Sequence, residues 1–177
     1  SAFRQSLYLR QITWVGIGLV GLLLACTISY RNLARFAYVL FGLSFLTLVV
    51  VLVIGKTGLG AQRWIRLGPI TVQPSEFAKL ALILFLARYF DDHRDQLHDP
   101  RSLVLPAALT GAFMLLVLKQ PDLGTALLLG FIALGLFLLV GLRLRYLLPF
   151  LGGGALLAPV VWTFLKDYQK RRILVFL

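Results

Sequence analysis

Apolar segments long enough to cross a lipid bilayer as helices run through most of the chain. One segment includes LTLVVVLVIG, and a helix crosses a bilayer with about 17–25 apolar residues. The chain is 59% hydrophobic and 14% charged, whereas soluble domains are about 45–50% apolar and about 25% charged. The sequence therefore predicts an all-α fold, a polytopic transmembrane helical bundle. Six spans in one membrane domain, residues 1–177, are predicted at about 12–29, 36–54, 74–90, 103–118, 122–142 and 144–165.

The charged and metal-binding residue types exclude several classes of function. The net charge is +11, but the cations are spread over short loops, which argues against nucleic acid and favours anionic lipid headgroups or a phosphate-bearing substrate. The single cysteine, Cys26, rules out a disulfide framework within the chain. His93 and His98 share one polar loop, which is more typical of a solvated connector than of a metal site. No metal site is predicted.

The distribution of lysine and arginine predicts an orientation, but only weakly. Six crossings place both chain ends on one side, which we call side B, and the opposite side is side A. Side B holds ten cations and side A holds seven, with Lys79 counted as intramembrane. The positive-inside rule would place side B in the cytoplasm. An anionic substrate on side B would also collect cations there, so the charge count leaves the orientation open.

Two loops on side B have similar sequences. VQPSE precedes the third predicted span and KQPDLG precedes the fifth. Proline suits the first turn of a helix, where its missing N–H would have no partner, and an acidic residue in that turn is favoured by the helix dipole. Two ordinary helix starts would explain the Gln-Pro-acid pattern, with Glu76 and Asp122 as the acids.

Lys79 is not explained by an ordinary helix start. The third predicted span reaches full length only if Glu76 and Lys79 lie inside the helix. A lysine at mid-bilayer costs about 2.5–3.5 kcal/mol on insertion scales, and less near the interface. Glu76 lies three residues earlier on the same helical face, so the two side chains can pair. The sequence favours a functional or architectural pair facing a cavity, and snorkelling of Lys79 toward side B is the alternative.

Four motifs resemble those of the SEDS family, the shape, elongation, division and sporulation proteins. They are GAQRWIRLG, QPSEFAKLALILFLARY, KQPDLGTALLLG and the final DYQKRRILVFL. The glutamine of KQPDLGT and the DYQ segment are similar to the RodA elongation branch of the family. The motifs follow the family's order across residues 60–177, and residues 1–59 fit the preceding spans.

The resemblance implies a peptidoglycan glycosyltransferase of the bacterial cytoplasmic (inner) membrane. Members polymerise the lipid-linked precursor lipid II and act with a class B penicillin-binding protein. The resemblance also implies that side B is extracytoplasmic, against the charge count. Family members have about ten spans, so we expect this chain to be a fragment that covers about the second to the seventh. The usual catalytic carboxylate is then expected after Leu177, and no residue here matches it.

The family's expected reaction is an inverting glycosyl transfer. A base deprotonates the acceptor hydroxyl, and cations stabilise the charge that develops on the departing diphosphate. No cofactor is firmly expected, although a divalent cation could assist the diphosphate. The residues expected to bind or position the substrate are polar side chains of side B: Arg63, Trp64, Arg66, Gln73, Glu76, Lys79, Lys119, Gln120, Asp122 and Thr125.

Two alternative functions remain open at the level of sequence. A lipid-linked precursor flippase or transporter would also need intramembrane charge and a cationic vestibule. Against it, the polar residues cluster on one face, and no charges line a path to side A. A non-catalytic membrane scaffold for a penicillin-binding protein is the other alternative, and it would leave the cationic cluster without a purpose.

Overall fold

The chain folds into two compact units, each built mainly of helices. The computed structural model describes residues 2–54, 56–58, 61–67, 70–97 and 99–141, together with positions 152, 163 and 170. The first unit, Ser1–Phe36, contains helix α1 (Ala2–Thr27) and the short helix α2 (Tyr30–Arg35). Ile28 and Ser29 separate these two helices.

The second unit is Ala37–Leu177, and its described residues form four longer helices and a small antiparallel sheet. Helix α4 contacts α3, α5 and α6, so it is central to the packing of the described residues. In chain order the elements are α3 (Ala37–Ile54), β1 (Lys56–Gly58), β2 (Ala61–Leu67), β3 (Ile70–Val72), α4 (Pro74–Asp92), the 3-10 turns η1 (Arg94–Gln96) and η2 (Pro100–Leu103), α5 (Val104–Lys119) and α6 (Leu123–Leu139).

Helices α3, α5 and α6 each bury one stripe of residues spaced three or four apart, whereas the central helix α4 buries a wider face. This spacing follows the 3.6-residue period and places the stripe on a single face. The stripes also contain small or hydroxylated residues, which allow helices in a membrane to approach closely. The buried residues are Ala37, Phe41, Ser44, Leu48 and Val51 in α3, Pro106, Thr110, Phe113 and Val117 in α5, and Ala126, Leu129, Ala133 and Phe137 in α6.

Three phenylalanine rings form the centre of the bundle. Phe41 of α3 stacks on Phe85 of α4 with ring centroids 4.2 Å apart, and on Phe113 of α5 with centroids 4.3 Å apart. Lipid tails are as apolar as these side chains, so the gain on packing in a membrane comes mainly from van der Waals contact rather than from removal of water. The stack therefore joins three helices through close ring-to-ring contact.

The outer faces of the helices carry large apolar side chains. Leu80 and Leu115 are each 62% exposed, and Phe131 is 66% exposed. Soluble monomers rarely expose contiguous apolar patches of large size, so these faces suit contact with lipid. Judged by length and composition, one helical segment among the described residues, Arg101–Lys119, is long enough to span a membrane. Shorter apolar helices cover Gln11–Thr27, Ala37–Val53 and Leu123–Leu139.

The helices compare with the predicted spans as follows. Five of the six predicted spans coincide with α1, α3, α4, α5 and α6, although α1 begins ten residues earlier than the predicted 12–29. Their assignment as membrane spans stays a prediction, and the sixth predicted span, 144–165, falls almost entirely outside the described residues. The sheet was not predicted, because the sequence between α3 and α4 was interpreted as a loop.

Hydrogen bonds and an ion pair between polar side chains join the side-A ends of α3 and α4. The Tyr38 hydroxyl, at the start of α3, donates to Asp92 Oδ2 at 2.8 Å. Arg88 Nε donates to the same oxygen at 3.0 Å, and Arg88 Nη2 lies 2.9 Å from Asp92 Oδ1. Asp92 therefore holds the last turn of α4 against the first turn of α3.

Candidate functional site

The candidate residues lie at the side-B end of the second unit. This end is formed by the last turns of α3 and α5, the first turns of α4 and α6, and the sheet between α3 and α4. Strand β2 contacts both α3 and α4, so the sheet packs beside the helices. The sequence motifs that resemble the SEDS family therefore converge on one end of the bundle wherever the structure describes them.

The sheet carries the arginines of the first motif. Its strand order is β1-β2-β3, with antiparallel pairing, and the register shifts between Lys56 and Thr57. Arg63 and Arg66 lie on β2, and their side chains are outside the described part of the structure. Trp64 is 42% exposed. Ile65 is half-buried and pairs with the half-buried Val72 on β3.

A polar network joins the start of α4 to the start of α6. Gln73 Nε2 donates to Ser75 Oγ at 2.9 Å and to Asp122 Oδ2 at 3.3 Å. Asp122 Oδ1 accepts the backbone N–H of Thr125 at 3.3 Å, so Asp122 is the N-cap of α6. Aspartate is among the preferred N-cap residues because its carboxylate satisfies an otherwise unpaired helical N–H. Three of the candidate residues, Gln73, Asp122 and Thr125, are thus brought together.

The two Gln-Pro-acid motifs start their helices differently. Pro74 is the first residue of α4, and Glu76 lies in its first turn, as predicted. In the second motif Pro121 remains in the turn, and α6 begins at Leu123 with Asp122 as its cap. Both motifs thus precede the start of a helix, but Pro121 and Asp122 lie before the first turn of α6 rather than in it, because the N-cap position suits aspartate.

Gln120 is buried against α3, and its role in binding or positioning the substrate stays a prediction. It is only 1% exposed, and its Nε2 donates to the backbone oxygen of Leu48 in α3 at 3.1 Å. A buried amide needs such a partner, because an unpaired one would cost free energy. Sequence reasoning missed both Ser75, which is 1% exposed, and this contact with Leu48. The position of Ser75 directly after the helix-starting proline was the available signal.

The structure shows the expected ion pair between Glu76 and Lys79. Lys79 Nζ lies 2.9 Å from both carboxylate oxygens of Glu76. The side chain of Lys79 is 22% exposed and that of Glu76 is 57% exposed. Lys79 is therefore the more buried member of the pair, and Glu76 is largely exposed. The pair lies at the outer surface of the first turn of α4, and its predicted role in a substrate pocket stays a prediction.

The remaining cation, Lys119, ends α5 and is exposed. It forms no ion pair among the residues that the structure describes. Within that same part of the chain, no group of three or more His, Cys, Asp or Glu side chains is arranged to hold a metal ion. Lys119 is therefore available to an anion at side B.

Comparison with known proteins identifies relatives over nearly the whole chain. The sequence model of the family described as Cell cycle protein (FTSW_RODA_SPOVE) matches residues 2–177. Peptidoglycan glycosyltransferase MrdB of Helicobacter pylori strain J99 is 37% identical, covering 97% of this chain and 46% of the relative. Probable peptidoglycan glycosyltransferase FtsW of Trichlorobacter lovleyi is 37% identical, covering 95% of this chain and 45% of the relative. The chain thus spans less than half the length of these curated relatives.

Two solved structures share the fold. A chain from a study of the structural coordination of polymerization and crosslinking by a peptidoglycan synthase complex is 41% identical, with a TM-score of 0.75. That match covers 94% of this chain and 49% of the other. The Rod shape determining protein RodA of Thermus thermophilus is 40% identical, with a TM-score of 0.66, covering 84% of this chain and 49% of the other. The predicted transmembrane helical bundle is confirmed, and the chain belongs to the SEDS family of bacterial membrane proteins, in which it is RodA-like.

Proposed function

We propose that the protein containing this chain is a peptidoglycan glycosyltransferase that polymerises lipid II during cell elongation and cell-shape maintenance. The observation that carries the proposal is the 37% identity, over 97% of this chain, to a protein named peptidoglycan glycosyltransferase MrdB. The 41% identity to a chain of a peptidoglycan synthase complex supports it. Because the chain matches 46% of the MrdB sequence, the activity is proposed for the whole protein.

The described residues suit one half of such a reaction. Glycosyl transfer from a polyprenyl-diphosphate donor develops negative charge on the leaving diphosphate, and fixed cations stabilise that charge. Arg63 and Arg66 on β2 and Lys119 at the end of α5 lie on elements of the same end of the bundle. We assign these three residues to the diphosphate. An inverting displacement also requires a base for the acceptor hydroxyl, and we assign that role to none of the described carboxylates.

A polymerisation assay tests the proposal directly. The purified whole protein should convert lipid II into glycan strands, and Arg63→Gln, Arg66→Gln and Lys119→Gln should each weaken precursor binding. Lys119→Gln should leave the unfolding temperature nearly unchanged, because Lys119 is exposed and exposed charges contribute little to stability. Arg94→Gln is the matched control, because Arg94 is a highly exposed cation at the side-A end. Unchanged precursor affinity in all three side-B variants would reject the assignment to the diphosphate.

The same preparation separates the proposed enzyme from its alternatives. In liposomes, a flippase would move the lipid II headgroup across the bilayer without forming a glycan strand. A scaffold would do neither and would still bind its partner. Glycan formation by the purified protein supports the proposal, and headgroup translocation alone would replace it with a transport function.

We further propose that side B faces away from the cytoplasm in the inner membrane. An anionic substrate on that side would account for the excess of cations that the positive-inside rule would otherwise place in the cytoplasm. Cysteine labelling tests this on a Cys26→Ser background, since Cys26 is exposed. In spheroplasts, an impermeant maleimide should label Lys119→Cys but not Asp95→Cys, because both positions are exposed and lie at opposite ends of the bundle. The reverse pattern would invert the orientation.

A class B penicillin-binding protein is the proposed partner. Support comes from the similarity to a chain of a synthase complex that coordinates polymerization with crosslinking. Co-purification of the whole protein with its cognate penicillin-binding protein, followed by a glycan synthesis assay with and without that partner, measures the association. A partner that neither co-purifies nor alters the rate would contradict this part of the proposal.

A further inference from the structure

Asp122 is a buried carboxylate with both oxygens engaged by donors. It is 8% exposed, Oδ1 accepts the backbone N–H of Thr125 and Oδ2 accepts the side-chain amide of Gln73, each at 3.3 Å. A buried carboxylate requires such donors because the loss of its hydration would otherwise be costly. Because Asp122 is only 8% exposed, a sugar hydroxyl has little access to either oxygen.

Gln73 connects this carboxylate to the first turn of α4. The same amide nitrogen that donates to Asp122 also donates to Ser75 Oγ at 2.9 Å, and Ser75 is 1% exposed. Glu76 follows Ser75 directly, and Lys79 lies on the next turn, paired with Glu76. The hydrogen bond between Gln73 and Asp122 spans 49 positions of sequence and ties the helix that carries this ion pair to the start of α6.

The turn that contains Asp122 is itself attached to a third helix. Gln120, two residues earlier, donates to the backbone oxygen of Leu48 in α3. The turn formed by residues 120–122 thus contacts α3, the residue before α4 (Gln73) and the start of α6. A displacement of Asp122 would be transmitted to α4 through Gln73, and Gln120 opposes that displacement.

We propose that Gln73 and Asp122 are a positioning pair for the proposed glycosyl transfer, in which Asp122 holds the first turn of α4 in place. The pair fixes where Glu76 and Lys79 stand relative to α6, and Asp122 does not accept the proton of the acceptor hydroxyl. This inference rests on the proposed function for its effect on catalysis. The hydrogen-bond coupling itself is independent of that function.

An exchange of the two functional groups tests the pair. Gln73→Glu places two carboxylates against each other, and we expect a loss of polymerisation of about tenfold or more together with a lower unfolding temperature. Asp122→Asn should have only a small effect on polymerisation and on the unfolding temperature. The Gln73 amide can rotate so that its oxygen accepts a hydrogen bond from the new amide nitrogen, while the Asn oxygen still accepts the N–H of Thr125. The double variant Gln73→Glu/Asp122→Asn keeps the original net charge and restores a donor opposite an acceptor.

The expected result is recovery of the double variant to within about threefold of Asp122→Asn, in both polymerisation and unfolding temperature. Asp99→Asn is the matched control. Asp99 also accepts a backbone N–H, from Arg101, but it is exposed at the other end of the bundle. This control should change neither measurement.

Several outcomes would overturn the inference. A double variant as impaired as Gln73→Glu, or one that fails to fold when Gln73→Glu also fails, would show that the two side chains are not coupled. Loss of polymerisation in Asp122→Asn with an unchanged unfolding temperature, unrelieved in the double variant, would make Asp122 a proton acceptor. If the unaltered protein polymerises nothing, the proposed function fails, and the unfolding temperatures alone still decide whether the pair is coupled.

Discussion

The ion pair between Glu76 and Lys79 should respond unequally to removal of its two members. Lys79 is 22% exposed and Glu76 is 57% exposed, although Lys79 Nζ lies 2.9 Å from both carboxylate oxygens. Glu76→Gln leaves the mostly buried ammonium of Lys79 without its ionic partner, and we expect the unfolding free energy to fall by about 1–2 kcal/mol. Lys79→Met leaves a carboxylate that solvent or headgroups can reach, and we expect a cost of about 0.2–1 kcal/mol. Both values lie below the ~3–5 kcal/mol of a fully buried pair.

Unfolding in detergent or nanodiscs, followed thermally or with denaturant, measures these costs. The double variant Glu76→Gln/Lys79→Met should be about as stable as Lys79→Met alone, so the coupling energy should equal the Glu76→Gln cost in size, about 1–2 kcal/mol. The control is the more exposed pair of Asp91 and Arg94, which has the same spacing. Asp91→Asn should cost less than about 0.5 kcal/mol. Strict additivity in the cycle, or a larger cost for Lys79→Met than for Glu76→Gln, would refute the reasoning.

Three further substitutions test the packing of the second unit. Phe41→Ala removes the ring that stacks on two neighbours and should lower the unfolding free energy by about 3 kcal/mol. This is the low end for a buried Phe→Ala change, because lipid weakens the transfer term. The control, Leu115→Ala at a 62% exposed position, should change the unfolding free energy by less than about 1 kcal/mol. Tyr38→Phe deletes the hydroxyl that donates to Asp92 and should cost about 0.5–1.5 kcal/mol. An unfolding free energy insensitive to Phe41→Ala would contradict the aromatic stack, and no effect of Tyr38→Phe would contradict the contact at the side-A end.

The helical elements were predictable because apolar segments of this length have few alternatives to a membrane-spanning helix. The start of α4 was also predictable, since Pro74 and Glu76 match the first turn of a helix in both backbone geometry and dipole. The pairing of Glu76 with Lys79 follows from their spacing of three residues. In each case the information is local in sequence, and the period of the helix converts it directly into position.

What could not be predicted depends on contacts between distant parts of the chain. The Gln73–Asp122 and Gln120–Leu48 hydrogen bonds join residues separated by 49 and 72 positions. No local rule distinguishes an exposed glutamine from a buried one that finds a distant partner. The sheet was missed for a different reason, since its strands are short and only the glycines and proline that bound them, such as Gly60 and Pro69, were a signal.

The attachment of α4 at both termini limits how this helix can move. At its C-terminal end Asp92 accepts a hydrogen bond from Tyr38 of α3. At its N-terminal end Gln73, the residue before α4, donates a hydrogen bond to Asp122. A helix with a hydrogen bond at each end cannot slide along its own axis or tilt without breaking one of these two bonds. If a lipid-borne substrate has to open a lateral path, the opening is expected to leave α3, α4 and the first turn of α6 moving as one rigid body. Amide exchange in α4 should then be uniformly slow from Ala78 to Phe90, rather than frayed toward either end.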